Sequence, residues 1–260
     1  PVFEYIGRRL FCTAAGERLA ESVRNIFSEL TSVHTDLAAL RGKVAGELKL
    51  VAVNTAQYVV PYLLRAFLDL HPQISVSVKV VNRATALQRL HENRDDLVIM
   101  GMVPTDKSLN VLPFLDNELV PLAPKGHPLL ELENVSAQAF LDSGLLMRES
   151  GSGSRLALEL HCQVERLRVQ PDIELGSNDA IKHAIIAGLG VGVLPLLSIL
   201  PELELGKMRV VPISGFPLRR SWSVVYPRSK HLTPAMQAFL DYTQQNIKQF
   251  EQMFKRLSSC

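Results

Sequence analysis

The residues best suited to chemistry in this chain form the turn Arg148-Glu149-Ser150-Gly151-Ser152-Gly153-Ser154-Arg155. It follows a strand-like run, Gly144 to Met147, and opens a helical pattern from Arg155 to about Gln163. Unpaired backbone N–H groups and hydroxyls at such a helix start make a site for an anion. The same residues can serve as a flexible Gly/Ser connector. They do not form a phosphate-hydrolysing loop, because the Gly-x-x-x-x-Gly-Lys-Ser/Thr pattern and a nearby carboxylate motif for Mg²⁺ are absent. Asn54-Thr55-Ala56-Gln57 holds the equivalent place after an earlier strand, with one hydroxyl, two amides and helix N–H donors; helix capping by Asn54 or Thr55 is the competing use. Asn82-Arg83, at the next strand end, adds a cation that either forks onto a carboxylate or phosphate or sits solvated at the surface. Ser177-Asn178-Asp179 opens a further helix, where capping is the simpler role.

Catalysis has little support. A nucleophile needs a partnered base, yet Gly151-Ser152-Gly153 lacks the spacing of a Gly-x-Ser-x-Gly elbow. His71, His127, His161, His183 and His231 are dispersed, and Asp95-Asp96, ahead of a buried strand, reads as turn and capping carboxylates. No catalytic residue, metal or cofactor is expected.

The elements that must position these turns alternate. Leu48 to Val53, Ile74 to Val81, Leu97 to Gly101 and a stretch within Val111 to Leu122 read as strands, with helices over Tyr58 to Leu70 and from Thr85 to about Asn93. This strand-helix alternation predicts a parallel sheet. After the loop Pro124-Lys125-Gly126-His127-Pro128 the rhythm restarts, with strands at 144–147, 173–175, 190–194, 208–212 and 222–226, and a closing helix from Thr233-Pro234 to about Phe254. The fold expected is α/β with two lobes, lobe I from 47–123 and 227–250 and lobe II from 124–226. Ligand loops at the carboxyl ends of their strands put a small molecule in the crevice between them.

Ahead of the lobes lies a rod. Leu19, Val23, Ile26, Leu30, Val33, Leu37 and Leu40 recur at alternating four- and three-residue spacing, with Arg18, Glu21, Arg24, Glu29 and Asp36 elsewhere, as a two-helix coiled coil requires. The helix is expected over 13–42, capped by Thr13 and stopped at Gly42; about 28 helical residues span roughly 42 Å. Before it, Val2 to Ile6 and Gly7-Arg8-Arg9-Leu10 read as a hairpin whose Arg8 and Arg9 can meet phosphate oxygens. The chain opens in mid-pattern without an initiator Met, so residues 1–12 read as the remnant of a longer N-terminal module.

With 260 residues, 47% apolar and 21% charged, the chain can bury a substantial core. A net charge of +2 is too small to argue for nucleic acid by itself. Cys12, Cys162 and Cys260 are scattered and odd in number, as in a reduced, intracellular protein. The apolar run Ala184 to Leu200 is broken by Gly188, Gly190, Gly192 and Pro195, and no secretory signal opens the chain, so a cytoplasmic protein without membrane contact is expected.

Gly7-Arg8-Arg9-Leu10-Phe11-Cys12-Thr13-Ala14-Ala15-Gly16 resembles the wing and the start of the linker helix in the LysR-type transcriptional regulators, with Cys12, expected to be buried, where Leu is usual. Ser177 to Ile181 and Ala187-Gly188-Leu189-Gly190-Val191-Gly192-Val193-Leu194-Pro195 are similar to that family's second-lobe signature. Asn82-Arg83, Asp95 to Gly101, Arg148 to Arg155 and Gly176-Ser177-Asn178 resemble the branch that controls carbon dioxide fixation and inorganic-carbon uptake genes. The resemblance implies a periplasmic-binding-protein-like effector domain behind a winged helix-turn-helix remnant and a linker helix. It implies a homodimer or homotetramer, and promoter DNA as partner of the full-length protein, with weak or no DNA binding by this chain alone. RNA polymerase is a further implied partner. The effector is an anionic metabolite such as ribulose bisphosphate, 2-phosphoglycolate or 2-oxoglutarate. The cleft residues carried over are Thr55, Gln57, Asn82, Arg83, Ser150, Gly151, Ser152 and Asn178, with Met100 and Gly101 along the wall. A solute-binding protein for a small anion is the alternative, followed by an enzyme acting on a phosphorylated acid.

Overall fold

Thr13 starts the rod by chemistry that the sequence shows. Its Oγ1 accepts from Gly16 N at 3.1 Å and its carbonyl from Glu17 N at 2.9 Å, satisfying N–H groups that a helix start leaves open. The computed structural model describes residues 1–39 and 44–258, and helix α1 runs Ala14–Ala39. Leu40, Arg41, Gly42 and Cys260 lie outside the described residues, as do the side chains of Arg24, Asp36 and Leu37. Strands β1 (Phe3–Ile6) and β2 (Arg9–Cys12) form the expected antiparallel hairpin against the start of α1. A side chain at Gly16 would put its Cβ 2.1 Å from Val2 O, so only glycine lets the hairpin approach. Cys12 is exposed rather than buried, because the hairpin covers only one side of the helix start. Leu19, Val23, Ile26, Leu30 and Val33 are 40–59% exposed along α1.

The remaining strands form one mixed sheet. They are β3 (Gly46–Val53), β4 (Ile74–Val81), β5 (Leu97–Met100), β6 (Leu109–Pro124), β7 (Leu145–Arg148), β8 (Ile173–Leu175), β9 (Val191–Pro195), β10 (Met208–Val210) and β11 (Leu218–Pro227). Their order is β4-β3-β5-β11-β6-β9-β7-β8, with β10 on β6. The parallel pairing expected from strand-helix alternation holds within two triplets, β4-β3-β5 and β9-β7-β8. It fails between them, where the long strands β6 and β11 run antiparallel to each other and to their neighbours.

Helices α2 (Val60–Leu70), α3 (Arg83–His91), α8 (Pro234–Gln245) and α9 (Ile247–Ser258) belong to the first lobe, whose core joins Phe67, Ile99, Phe114, Trp222 and Phe239. The single closing helix of the sequence reading is two helices, split where Asn246 caps α8 and its Nδ2 donates to Tyr242 O at 2.8 Å. The second lobe carries α4 (Ala137–Leu141), α5 (Gly153–Val164), α6 (Asn178–Ile186) and the short α7 (Leu200–Glu204). Its sheet is buried on both faces. Leu119, Ala123, Leu145, Met147, Val191 and Val193 join one cluster, while the alternating Val120, Leu122, Leu146 and Leu194 join another.

The cores change hands inside continuous strands. On β6 the first core ends at Leu115 and the second begins at Leu119; on β11 Leu218 belongs to the second and Trp222 to the first. The junctions placed at 123/124 and 226/227 from sequence lie at the strand ends instead, where the hydrophobic pattern breaks. No helix among the described residues is long and apolar enough to cross a membrane.

Candidate functional site between the lobes

Turns that follow parallel strands converge where the lobes meet, together with the middle of β6 and the start of β11. Asn54 and Thr55 follow β3, Asn82 and Arg83 follow β4, Gly101 and Met102 follow β5, and Ser152 to Ser154 follow β7. Asn117, Leu119 and Arg220 come from the two long strands, and Arg148 from the end of β7. The lobes are drawn together. Ala84 N donates to Gly151 O at 3.1 Å, Asn82 Nδ2 to Glu149 Oε1 at 3.4 Å, and Tyr58 OH to Asp179 Oδ1 at 3.3 Å. The cavity left between them measures about 20 Å³, room for about one water.

Ser152 and Ser154 are the most available donors. Ser152 stands at the N-cap of α5, yet its hydroxyl makes no capping bond and lies 3.1 Å from Ser154 Oγ, both residues being buried. The first-turn N–H groups of α5 have no intrahelical partners, so hydroxyls, amides and the positive helix end share one corner. Arg83 closes the opposite side. Its Nε donates to Met102 O at 2.7 Å, and burial lowers its pKa from the ordinary arginine value. That direction reflects a guanidinium partly withdrawn from water, for which an anion is a favourable partner.

Arg148 is the deepest cation, only 3% exposed. Its Nε and Nη2 donate to Glu149 Oε2 and Oε1 at 2.7 and 2.9 Å, and its Nη1 to Asn178 Oδ1 at 2.7 Å. With the Asn54 amide turned so that both ends are satisfied, its oxygen accepts from Arg148 Nη2 at 2.8 Å and its nitrogen donates to Val81 O at 2.7 Å. Arg148 is thus a tie between lobes, with four of its five N–H donors engaged.

Of the residues carried over from sequence, Thr55, Asn82, Arg83, Gly101 and Ser152 line the cavity. Thr55 Oγ1 accepts from Trp222 Nε1 at 3.2 Å, and Asn82 Oδ1 caps α3 by accepting from Thr85 N at 2.9 Å. Gln57 and Ser150 are not among the lining residues, and Ser150 is exposed. Gly151 braces the lobes instead: at φ +87° it sits where an added Cβ would stand 2.9 Å from Ala84 Cβ. Asn178 lies behind Arg148, buried, with its Nδ2 unpartnered among the described residues. Met100 points wholly into the first core, and Met102 takes its expected place on the wall.

Asn117, Met102 and Arg220 were missed as site residues, whereas Arg148 and Ser154 were read as part of the anion turn but not among the cleft residues carried over. Asn117 had no separate signal, since it sits between Asp116 and Glu118 in a polar stretch of β6 and only its burial sets it apart. Arg220 had none, because Arg219-Arg220 looks like a solvated pair until β11 is known to start at Leu218.

Residues 41–248 match the profile of the LysR substrate binding domain. The transcriptional activator CmpR of Synechocystis sp. PCC 6803 is 39% identical over 93% of this chain and 80% of its own length. The RuBisCO operon transcriptional regulator of Acidithiobacillus ferrooxidans is 36% identical over 93% of this chain and 78% of its own. Among solved structures, the regulatory domain of Synechocystis PCC6803 CcmR in complex with 2-PG superposes with a TM-score of 0.73 at 39% identity, covering 78% of this chain and 98% of that one. These relatives are regulators, so the enzyme reading of the Gly/Ser turn falls away with the solute-binding one. A profile match across both lobes, shared with transcriptional regulators over nearly the whole chain, makes this protein a member of the LysR-type transcriptional regulators.

Proposed function

We propose that this regulator senses a small anionic metabolite, a phosphorylated acid or dicarboxylate of carbon metabolism, in the cleft between its lobes, and thereby controls carbon-fixation or inorganic-carbon-uptake genes. The observation that carries the reading is the buried Ser152–Ser154 hydroxyl pair at the uncapped start of α5, lining one cavity with the half-buried Arg83. The relatives point to the gene class, and the 2-PG held by the CcmR regulatory domain points to the ligand class. Binding acts by favouring one lobe arrangement over another, limited by the ligand's differential affinity for the two.

The rod carries that change onward. Its exposed stripe, Leu19, Val23, Ile26, Leu30 and Val33, supports pairing with a second copy through a coiled coil. Arg8 and Arg9, exposed on the hairpin beside it, fit phosphate contacts on promoter DNA.

The experiment is calorimetric titration of the chain with 2-phosphoglycolate, ribulose bisphosphate and 2-oxoglutarate. The fluorescence of Trp222, the single tryptophan, is followed alongside, since its indole bonds to Thr55 at the cleft. Saturable binding of one compound, lost in Arg83→Ala and Ser152→Ala, is the expected result. Absence of binding by all three overturns the anion assignment.

A further inference from the structure

Met102 follows β5 by two residues and adopts φ +51°, a left-handed backbone uncommon and costly for a side chain of its size. Three attachments hold it there. Its carbonyl accepts from Arg83 Nε at 2.7 Å, its Sδ accepts from Arg220 Nε at 3.2 Å, and its side chain packs on the second lobe's core. It therefore stands between the two arginines of the cleft and touches both lobes.

A thioether is a weak acceptor, whereas a guanidinium is matched to carboxylate or phosphate oxygens. Arg220 sits directly opposite Asn117 on β6, and the Asn117 Oδ1 atom is buried without a partner among the described residues. Arg220 Nη1 donates to Arg219 O at 2.7 Å, so it is the Nε edge of this cation that is spent on a poor acceptor, while the unsatisfied Asn117 oxygen beside it is open to a donor such as a guest's hydroxyl. The cavity beside it, about 20 Å³, holds no anion of phosphate size until something moves. Met102 is the side chain whose removal both enlarges it and frees Arg220.

We infer that Arg220 is a second anion arm of the cleft, masked by Met102, and that the ligand carries two anionic ends, one for the Ser152–Ser154 and Arg83 side and one that displaces the Met102 thioether from Arg220. This rests on the reading of the cleft as an anion sensor. Met102 acts as a competitor already in place. A mask of this kind lowers apparent affinity by the fraction of molecules in which it is open.

The test compares 2-phosphoglycolate, which has two anionic ends, with inorganic phosphate, which has one, by calorimetry and Trp222 fluorescence. Removing the mask with Met102→Ala should tighten 2-phosphoglycolate binding by about fivefold or more, because the open fraction rises. Met102→Gln, whose amide oxygen is a better acceptor for Arg220, should weaken it. Arg220→Gln should weaken 2-phosphoglycolate by about tenfold, the loss of a charge-assisted contact, and leave phosphate nearly unchanged. Equal or weaker 2-phosphoglycolate binding by Met102→Ala, with the wild type binding, overturns the mask and leaves the anion sensor standing. Should Met102→Ala fail to fold by circular dichroism, Met102→Gln decides: weaker binding supports the mask, unchanged binding overturns it. If neither the wild type nor Met102→Ala binds phosphate, 2-phosphoglycolate, ribulose bisphosphate or 2-oxoglutarate, the sensor reading fails and takes the mask with it.

Discussion

Two turns of the same design, one in each lobe, differ in where their hydrogen bonds go. After β3, Asn54 reaches Val81 and Arg148, and Thr55 accepts from the buried indole of Trp222, so the turn's polar groups hold the protein together. After β7, the hydroxyls of Ser152 and Ser154 bond, among the described residues, only each other, and the N-cap position of α5 makes no side-chain capping bond. By contrast, Asn82 and Ser177 cap their helices through Thr85 N and Ala180 N. Strand-to-helix turns rich in small polar residues look alike in sequence. The one left with uncommitted donors is the one suited to a ligand, while the others set its position.

The largest effect should follow from cutting the tie between the two turns. Arg148 connects Glu149, Asn178 and Asn54 from a nearly fully buried position. Arg148→Met leaves Glu149 without its cation and Asn178 with both ends open, a loss of about 3 kcal/mol at the lower end for broken buried pairs, since Glu149 keeps some water. For a chain of this size that lowers Tm by roughly 6–12 °C in a calorimetric scan. A change under about 2 °C would show that the tie contributes little and that the lobes are held elsewhere.

Next come substitutions that should separate the two turns. Thr55→Val leaves the Trp222 Nε1–H unpaired in the first core and should cost about 1–2 kcal/mol of stability. Gly151→Ala should cost about as much, roughly 1–2 kcal/mol from the left-handed backbone alone, before the clash with Ala84 is added. Ser152→Ala with Ser154→Ala behaves in the opposite way. Removing both partners of one bond together is nearly neutral for stability, within about 1 kcal/mol, but anion affinity should fall by about tenfold. Urea unfolding and ligand titration on the same samples check the pair. If Thr55→Val lost affinity without stability, or the serine double variant lost stability without affinity, the contrast between the turns would be wrong.

Much of this arrangement is legible from residue order, and the illegible part has a physical cause. Strands β5, β7 and β9 read clearly because burial on both faces makes them near-continuous apolar runs, and β3 and β4 because their residues alternate with period two. The Gly/Ser turn read as an anion site because its residue types and its place before a helix are local facts. The antiparallel spine did not, because β6 and β11 meet through pairs more than a hundred positions apart, such as Arg219 with Glu118. Arg220 and Asn117 become neighbours only through that pairing. Met100 and Met102 show the same limit at shorter range: a strand ending one residue earlier or later exchanges the core side for the cleft side, and the left-handed turn at Met102 cannot be read from a methionine.

The smallest effect sharpens the comparison at its rim, where Tyr58 OH donates to Asp179 Oδ1 at 3.3 Å across the lobes. Asp179 keeps Lys182 Nζ at 3.3 Å as a second partner, so Tyr58→Phe strands no charge and should cost about 0.5 kcal/mol, the low end for a hydrogen bond. Burial raises the Tyr58 pKa above the ordinary tyrosine value, and the Asp179 carboxylate raises it further. A raised pKa in the folded state means a contribution complete below the unfolded value, about 10, and lost as pH climbs through the folded one. Stability of the wild type should therefore fall on the alkaline side of about pH 10, and Tyr58→Phe should flatten part of that fall. Tyr242 and Cys162, both also raised by burial, contribute to the remainder. A Tyr58→Phe profile that parallels the wild type at every pH would mean that the rim contact opens freely, leaving Arg148 and the Gly151–Ala84 brace to hold the lobes closed.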